Sequence, residues 1–143
     1  MANQIYYRIV KAELVQFATL TNSFDPKKEY VLNNEIGFTY NPADSVLSCT
    51  LSVMMADETT VPMMKATMLC GFEIKKESLE EITHYGEVKF STNVVSHIAS
   101  LTYSSMRGAI SIKVDDTPLR GFVLPLANIS AHIKSEIVFK LTE

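Results

Sequence analysis

Three histidines and two cysteines are the side chains of this sequence best suited to metal or nucleophilic chemistry, and their spacing works against both. His84, His97 and His132 lie far from one another and from Cys49 and Cys70 along the chain. No H-x-x-x-H or H-E-x-x-H pair occurs and the cysteines form no C-x-x-C pair, so a zinc ligand set has no counterpart here. His97 falls on a mostly apolar segment and reads as a hydrogen-bonded packing residue. Cys49 and Cys70 fall on the apolar phase of two alternating segments, as buried small hydrophobes do; a redox pair is the alternative if those segments pair. The sequence has no G-x-S-x-G elbow, Walker loop or G-x-G-x-x-G, and nothing aligns Ser, His and Asp as a triad. Glu80-Glu81 reads as part of a solvated face. The expectation is a non-enzyme with no catalytic residue, metal or cofactor.

Soft apolar surface is what the sequence offers instead. Five of the seven methionines (54, 55, 63, 64 and 68) fall within fifteen residues. Methionine adapts its shape and is over-used at promiscuous binding surfaces; filling a loosely specified core is the alternative. Met54 and Met63 decide between the two, because strand phase puts them on the wetter face or at the tip of a hairpin.

That hairpin is the clearest element. From 46 to 55 the odd positions read Leu47, Cys49, Leu51, Val53 and Met55; from 64 to 74 the even positions read Met64, Ala66, Met68, Cys70, Phe72 and Ile74. Period-two patterning of this kind gives one dry face. With a loop at Asp57 to Pro62, Met55 faces Met64, Leu51 faces Met68, Cys49 faces Cys70 and Leu47 faces Phe72. A slip by one residue would set every apolar face against a polar one. Upstream, residues 5–19 are rich in β-branched and aromatic types and predict one long strand, with room for a bend. In 34–41, Ile36, Phe38 and Tyr40 alternate with Glu35, Gly37 and Thr39 as a second strand, and Asn41-Pro42-Ala43-Asp44 turns the chain.

Residues 77–89 read as a loop or a short helical turn. Ser91-Thr92-Asn93 supplies N-cap candidates for a helix to about Val114, which Asp115-Asp116-Thr117-Pro118 stops. The helix is apolar on more than one side and carries small residues at Ser100, Ser104, Gly108 and Ser111. One side can meet a sheet and the other needs a partner, so these four are candidate oligomer contacts. An extended segment from Leu119 to Pro125, a short last helix capped by Asn128 or Ser130, and an extended Val138 to Leu141 complete the reading.

The length of 143 residues suits a single domain, and 47% hydrophobic with 20% charged residues excludes disorder. A net charge of -3 and no Lys/Arg run longer than two argue against a nucleic-acid partner. No run of eighteen apolar residues exists to cross a bilayer as a helix. Met1-Ala2-Asn3-Gln4 lacks the basic and apolar parts of a secretory signal, so the cytoplasm is the expected location.

The order of elements resembles the protein-export chaperone SecB, and local stretches are similar. Glu35-Ile36-Gly37-Phe38-Thr39-Tyr40-Asn41 resembles that family's alternating second strand. Met63 to Ile74, ending Cys70-Gly71-Phe72-Glu73-Ile74, is similar to its fourth strand. Arg107 and Ile110 match an Arg-x-x-Ile step of its long helix, and Phe122-Val123-Leu124-Pro125-Leu126-Ala127-Asn128-Ile129 its crossover, with the proline displaced by one position. The likeness spans most of residues 8 to 134. It implies an α+β, two-layer fold with a four-stranded antiparallel sheet and two helices on one face. It also implies a homotetramer, as a dimer of dimers, and an ATP-independent holdase for unfolded polypeptides, with protein export as one outlet.

The resemblance sets Ile36, Phe38 and Tyr40 of the second strand beside Phe122 and Leu124 of the crossover as a client groove, flanked by Leu101; ordinary core is the alternative for all of them. Glu13 matches an acidic residue that docks the SecA motor in the export chaperones. Lys65 stands where another acid belongs and a further one falls near Phe17, so SecA is a doubtful partner; Met63 lies beside that contact surface. Other readings are a specialised chaperone of a toxin–antitoxin system and a non-catalytic ligand-binding domain on the same fold.

Overall fold

The computed structural model describes residues 4–141. Four strands, β1 (Tyr7–Thr19), β2 (Val31–Asn41), β3 (Val46–Ala56) and β4 (Pro62–Ile74), form an antiparallel sheet in the order β1-β4-β3-β2. After it come helix α1 (Lys76–Ile82), β5 (Thr83–His84), β6 (Glu87–Phe90), the long helix α2 (Thr92–Lys113) and β7 (Ile137–Lys140). β5, β6 and β7 make a second, three-stranded sheet. The expected α+β class and four-stranded antiparallel sheet are present.

The hairpin has the expected register, with Met55 on Met64, Leu51 on Met68, Cys49 on Cys70 and Leu47 on Phe72. Its dry face is the floor of the core, where Leu47, Cys49, Leu51, Met55, Met64, Ala66 and Cys70 are wholly buried. Helix α2 lies across this floor and packs on β4, β3 and β1, burying Val95, Ile98, Ala99, Thr102, Tyr103, Met106 and Ile110. Ser91 caps it by accepting a hydrogen bond from the Val94 amide. At the other end the chain tightens into a 3-10 turn, Val114–Asp116, before Pro118.

The bend anticipated in the first strand has two sites. Pairing jumps between Ile9 and Lys11 and between Leu14 and Gln16, so Val10 and Val15 are extra residues in the strand. Such bulges turn side chains out of phase, which is why both valines are exposed on an edge strand.

Three expectations are corrected. Residues 77–89 hold helix α1 and the β5–β6 hairpin; its two-residue turn has positive φ at Tyr85 (53°) and Gly86 (75°), as a type I′ turn requires. The last helix is a single 3-10 turn, Ile129–His132, with no side-chain cap from Asn128. Met63, expected on the wetter face or at the tip, is only 6% exposed. Pairing jumps there from Met55–Met64 to Ala56–Pro62, so Met63 is the added residue of a bulge and is turned into the core beside Met64. Met54 stays on the outer face, half-buried.

Candidate functional site

The inner face of the sheet is unevenly covered, and the site follows from that. β2 is an edge strand, and α2 crosses the other three strands. The inward side chains Leu32, Asn34, Ile36, Phe38 and Tyr40 are therefore left half-buried, while their partners on β3 are sealed. What lies over β2 is irregular chain: the crossover after Leu119 and the segment around the 129–132 turn.

Two open cavities follow one another along this side of β2. One, of about 290 Å³, lies between Phe24, Tyr30 and Leu32 and the crossover residues Phe122, Val123 and Pro125. The other, of about 330 Å³, has Asn34, Ile36 and Phe38 on one side, with Val95 of α2 and Ile133 and Ile137 opposite. The walls of the first are mainly apolar, whereas His132, Lys134 and Ser135 add polar groups to the far wall of the second. The two form a cleft beside a strand whose outer edge has no partner strand among the described residues.

Two residues of α2 fasten the crossover. Arg107 Nε donates to the Leu124 carbonyl at 2.7 Å, and the Tyr103 hydroxyl donates to the Pro125 carbonyl at 2.7 Å. Hydrogen bonds of this kind hold an extended segment that belongs to no sheet. Burial raises the Tyr103 phenol, which keeps it protonated as a donor, while the nearby Arg107 charge opposes the shift.

The residues expected to form a client groove separate into four places. Ile36 and Phe38 line the second cavity. Tyr40 instead joins an aromatic cluster where the second sheet docks, with ring centroids 5.6 Å from Phe90 and 5.9 Å from Phe139. Phe122 is 7% exposed and packs edge-on to Phe24, while Leu124 is 0% exposed and offers no surface. Leu101 is 38% exposed but sits at the opposite sheet edge, in a cavity of about 410 Å³ with Tyr7, Ile9, Phe72 and His97. It does not flank the crossover, because α2 turns that face toward β1. Sequence reading passed over Phe24, Tyr30, Leu32, Val95 and Ile133. Leu32 continues the even-numbered phase of Ile36 and Phe38 upstream, with Asn34 as the polar break, and that phase was the available signal.

Glu13 and Lys65 lie on the outer face of the sheet, away from the helix. Glu13 pairs with Lys11 at 3.4 Å in an exposed ion pair. Around them the face is small and hydroxylated; Ser52 and Thr67 bond across the strands at 2.9 Å. Met63, bulged into the core, contributes little there. On the exposed side of α2, Ser104, Gly108 and Ser111 are open and Ser100 is half-buried. From Thr92 to Ile112, Arg107 is the one Asp, Glu, Lys or Arg, so the Ser100-Ser104-Gly108-Ser111 stripe carries no such charge and is small as well.

The cysteines face each other as free thiols, both wholly buried. Burial pushes Cys49 up to about 11 and raises Cys70, so the nucleophilic thiolate is suppressed. His84 bonds the Glu81 carbonyl through Nε2 and His97 bonds the Tyr7 hydroxyl through Nδ1. The bond expected of His97 is present, but its ring lies at the surface rather than in the packing. Among the described residues no group of three His, Cys, Asp or Glu side chains is arranged to hold a metal, and no helix is long and apolar enough to cross a membrane.

No protein-family model matches this chain, and no curated protein matches it in sequence. Solved structures do match. A protein of unknown function from Streptococcus agalactiae aligns over 87% of this chain and 100% of its own, at 11% identity and a TM-score of 0.44. A SecB-like chaperone from Mycobacterium tuberculosis, solved with a ChAD peptide from an antitoxin, aligns over 85% of this chain and 90% of its own, at 15% identity and a TM-score of 0.56. With the strand order and the long helix described above, that second likeness gives this chain a SecB-like fold.

Proposed function

We propose that this protein is an ATP-independent holdase that takes up extended, apolar stretches of non-native polypeptides in the cleft along β2. The observation that carries the reading is the half-covered inner face of β2: apolar side chains remain partly open beside a free strand edge. Such a site recognises what unfolded chains share, namely apolar side chains and unsatisfied backbone groups, and asks for no particular sequence. Its two cavities are open and lie one after the other along one strand, unlike the enclosed pocket of a small-ligand domain. The proposed role is a binding one.

A specialised client is the second reading, and the comparison favours it over general export. The M. tuberculosis protein of the same fold was solved with an antitoxin peptide. On this chain the outer face carries Lys65 where the resemblance expects an acid, and Glu13 is paired with Lys11, which weakens attraction for a partner docked by acidic residues such as the SecA motor. The uncharged side of α2, with Ser100, Ser104, Gly108 and Ser111, is the proposed contact between copies in a cytoplasmic homo-oligomer, a dimer of dimers.

The test is suppression of aggregation of a chemically unfolded protein diluted into buffer without nucleotide. Protection is expected at stoichiometric amounts and is expected to fall in Ile36→Ser. Absence of protection, or full protection by Ile36→Ser, overturns the reading. A tight antitoxin peptide with no protection of unrelated clients would establish the narrow role. Sedimentation showing a monomer would remove the α2 contact.

A further inference from the structure

The inward positions of β2 are Leu32, Asn34, Ile36, Phe38 and Tyr40, four apolar or aromatic side chains and one amide. Asn34 pairs with the buried Val53 of β3 and lines the cleft with Ile36, Phe38, Val95 and Ile133. Its Oδ1 is buried, and no donor of the protein among the described residues reaches it. Buried polar atoms in native proteins nearly always have a partner. Exchanging the two ends of the amide leaves a polar atom in the same apolar place. A leucine or valine would fit the phase of the strand without that deficit, so local packing does not account for this residue.

We infer that Asn34 binds the backbone of the client: a peptide N–H of an extended segment lying along β2 donates to Oδ1, and Nδ2 donates to a client carbonyl. This rests on the cleft reading above. The asparagine side chain presents the same acceptor and donor as a peptide group, so it matches a backbone more fully than it matches any one side chain. Nearby polar groups, His132, Lys134 and Ser135, come from the exposed segment on the far wall, whereas Asn34 sits on the strand itself. A peptide group lying against the strand floor of the cleft loses water there and needs a partner, and Asn34 supplies one at a fixed point among the apolar side chains of β2. Because Asn34 also lines the open cavity, rotation about its own side-chain torsions brings the amide to the client. Asn34 then sets the register of the bound chain without selecting its sequence.

The experiment measures binding of reduced, carboxymethylated α-lactalbumin, a permanently unfolded chain, by fluorescence anisotropy, with thermal melts of each variant. Asn34→Leu is expected to weaken binding about tenfold while melting no lower than the unmodified protein. Ile36→Ser in parallel reports on the cleft. If Ile36→Ser weakens binding and Asn34→Leu does not, the Asn34 inference is overturned and the cleft stands; if neither weakens it, both fail. Should Asn34→Leu not fold, Asn34→Ser serves, since it lacks the amide and keeps little bulk. An amide-to-ester scan of the shortest bound peptide separates hydrogen bonding from shape. One ester position should weaken binding to the unmodified protein and leave Asn34→Leu unaffected; a scan with no such position overturns the inference.

Discussion

β2 and β3 are neighbouring strands of eleven residues with the same alternation, yet every inward residue of β3 from Leu47 to Met55 is buried while every inward residue of β2 is only half-buried. Hydrophobic pattern distinguishes them only at Asn34, opposite Val53: Ile36, Phe38 and Tyr40 alternate inward just as their partners Leu51, Cys49 and Leu47 do. The difference lies in what lies above. α2 is one helix on a four-stranded sheet, and a helix about 10 Å across cannot cover four strands spaced about 4.8 Å apart. It lies on β4, β3 and β1, so β2 depends on irregular chain for its cover. The same type of surface is sealed on one strand and left partly open on the next.

The sharpest way to break this comparison is to truncate both strands. Leu51→Ala should lose about 2–5 kcal/mol of stability in urea unfolding, as a fully buried truncation does. Phe38→Ala should lose about 1 kcal/mol and a large part of its client protection. Equal losses of stability from the two would show that β2 is core like β3.

Leu124→Ala sharpens it on the crossover side. Since Leu124 is wholly buried, this variant should behave like Leu51→Ala, destabilised by about 2–5 kcal/mol with client protection intact below its melting point. Releasing the crossover from α2 is a smaller change: Arg107→Met should lose about 1.5–3 kcal/mol, the range for a hydrogen bond to a charged group. Proteolysis of the crossover should speed up in parallel; an unchanged cleavage rate would argue that Arg107 does not fasten it.

The sealed floor under α2 has a pH signature as well. Cys49 is pushed up to about 11, above the thiol of the unfolded chain near 8.5. Below about pH 8.5 both states hold the proton and the difference contributes nothing adverse. As pH climbs from there toward 11, the unfolded chain ionises first, so stability falls across that window. Cys49→Ala should flatten the alkaline limb of the stability profile, and an unchanged limb would contradict the burial. The smallest expected effect is on the outer face, where Lys65→Glu should strengthen any salt-sensitive binding of the SecA motor a few-fold without moving the melting temperature.

Much of the fold was legible in the sequence because the strongest signals are local or period-two. The β3–β4 register could be read residue for residue, since a one-residue slip would reverse its faces, and Ser91-Thr92-Asn93 marked the start of α2, where Ser91 is the cap. The bulges at Val10, Val15 and Met63 were not legible, because an extra residue in one strand is defined only by its partner. The short β5–β6 hairpin was hidden for a related reason: two-residue and four-residue strands carry too little pattern to stand out.

For the candidate site the division is finer. The sequence by itself determined which side chains of β2 share a face, because alternation along an extended strand is fixed by backbone geometry. It also marked Phe122 and Leu124 as one phase of the crossover, while Arg107 entered only through the resemblance, as part of an Arg-x-x-Ile step. Only the tertiary structure decided that Leu124 is sealed, that Leu101 faces the far edge, that Tyr40 packs against the second sheet and that Asn34 Oδ1 lacks a partner among the described residues. Those outcomes depend on where α2 lies across the sheet, and a helix position is the sum of many weak contacts between residues distant in sequence, which no local pattern encodes.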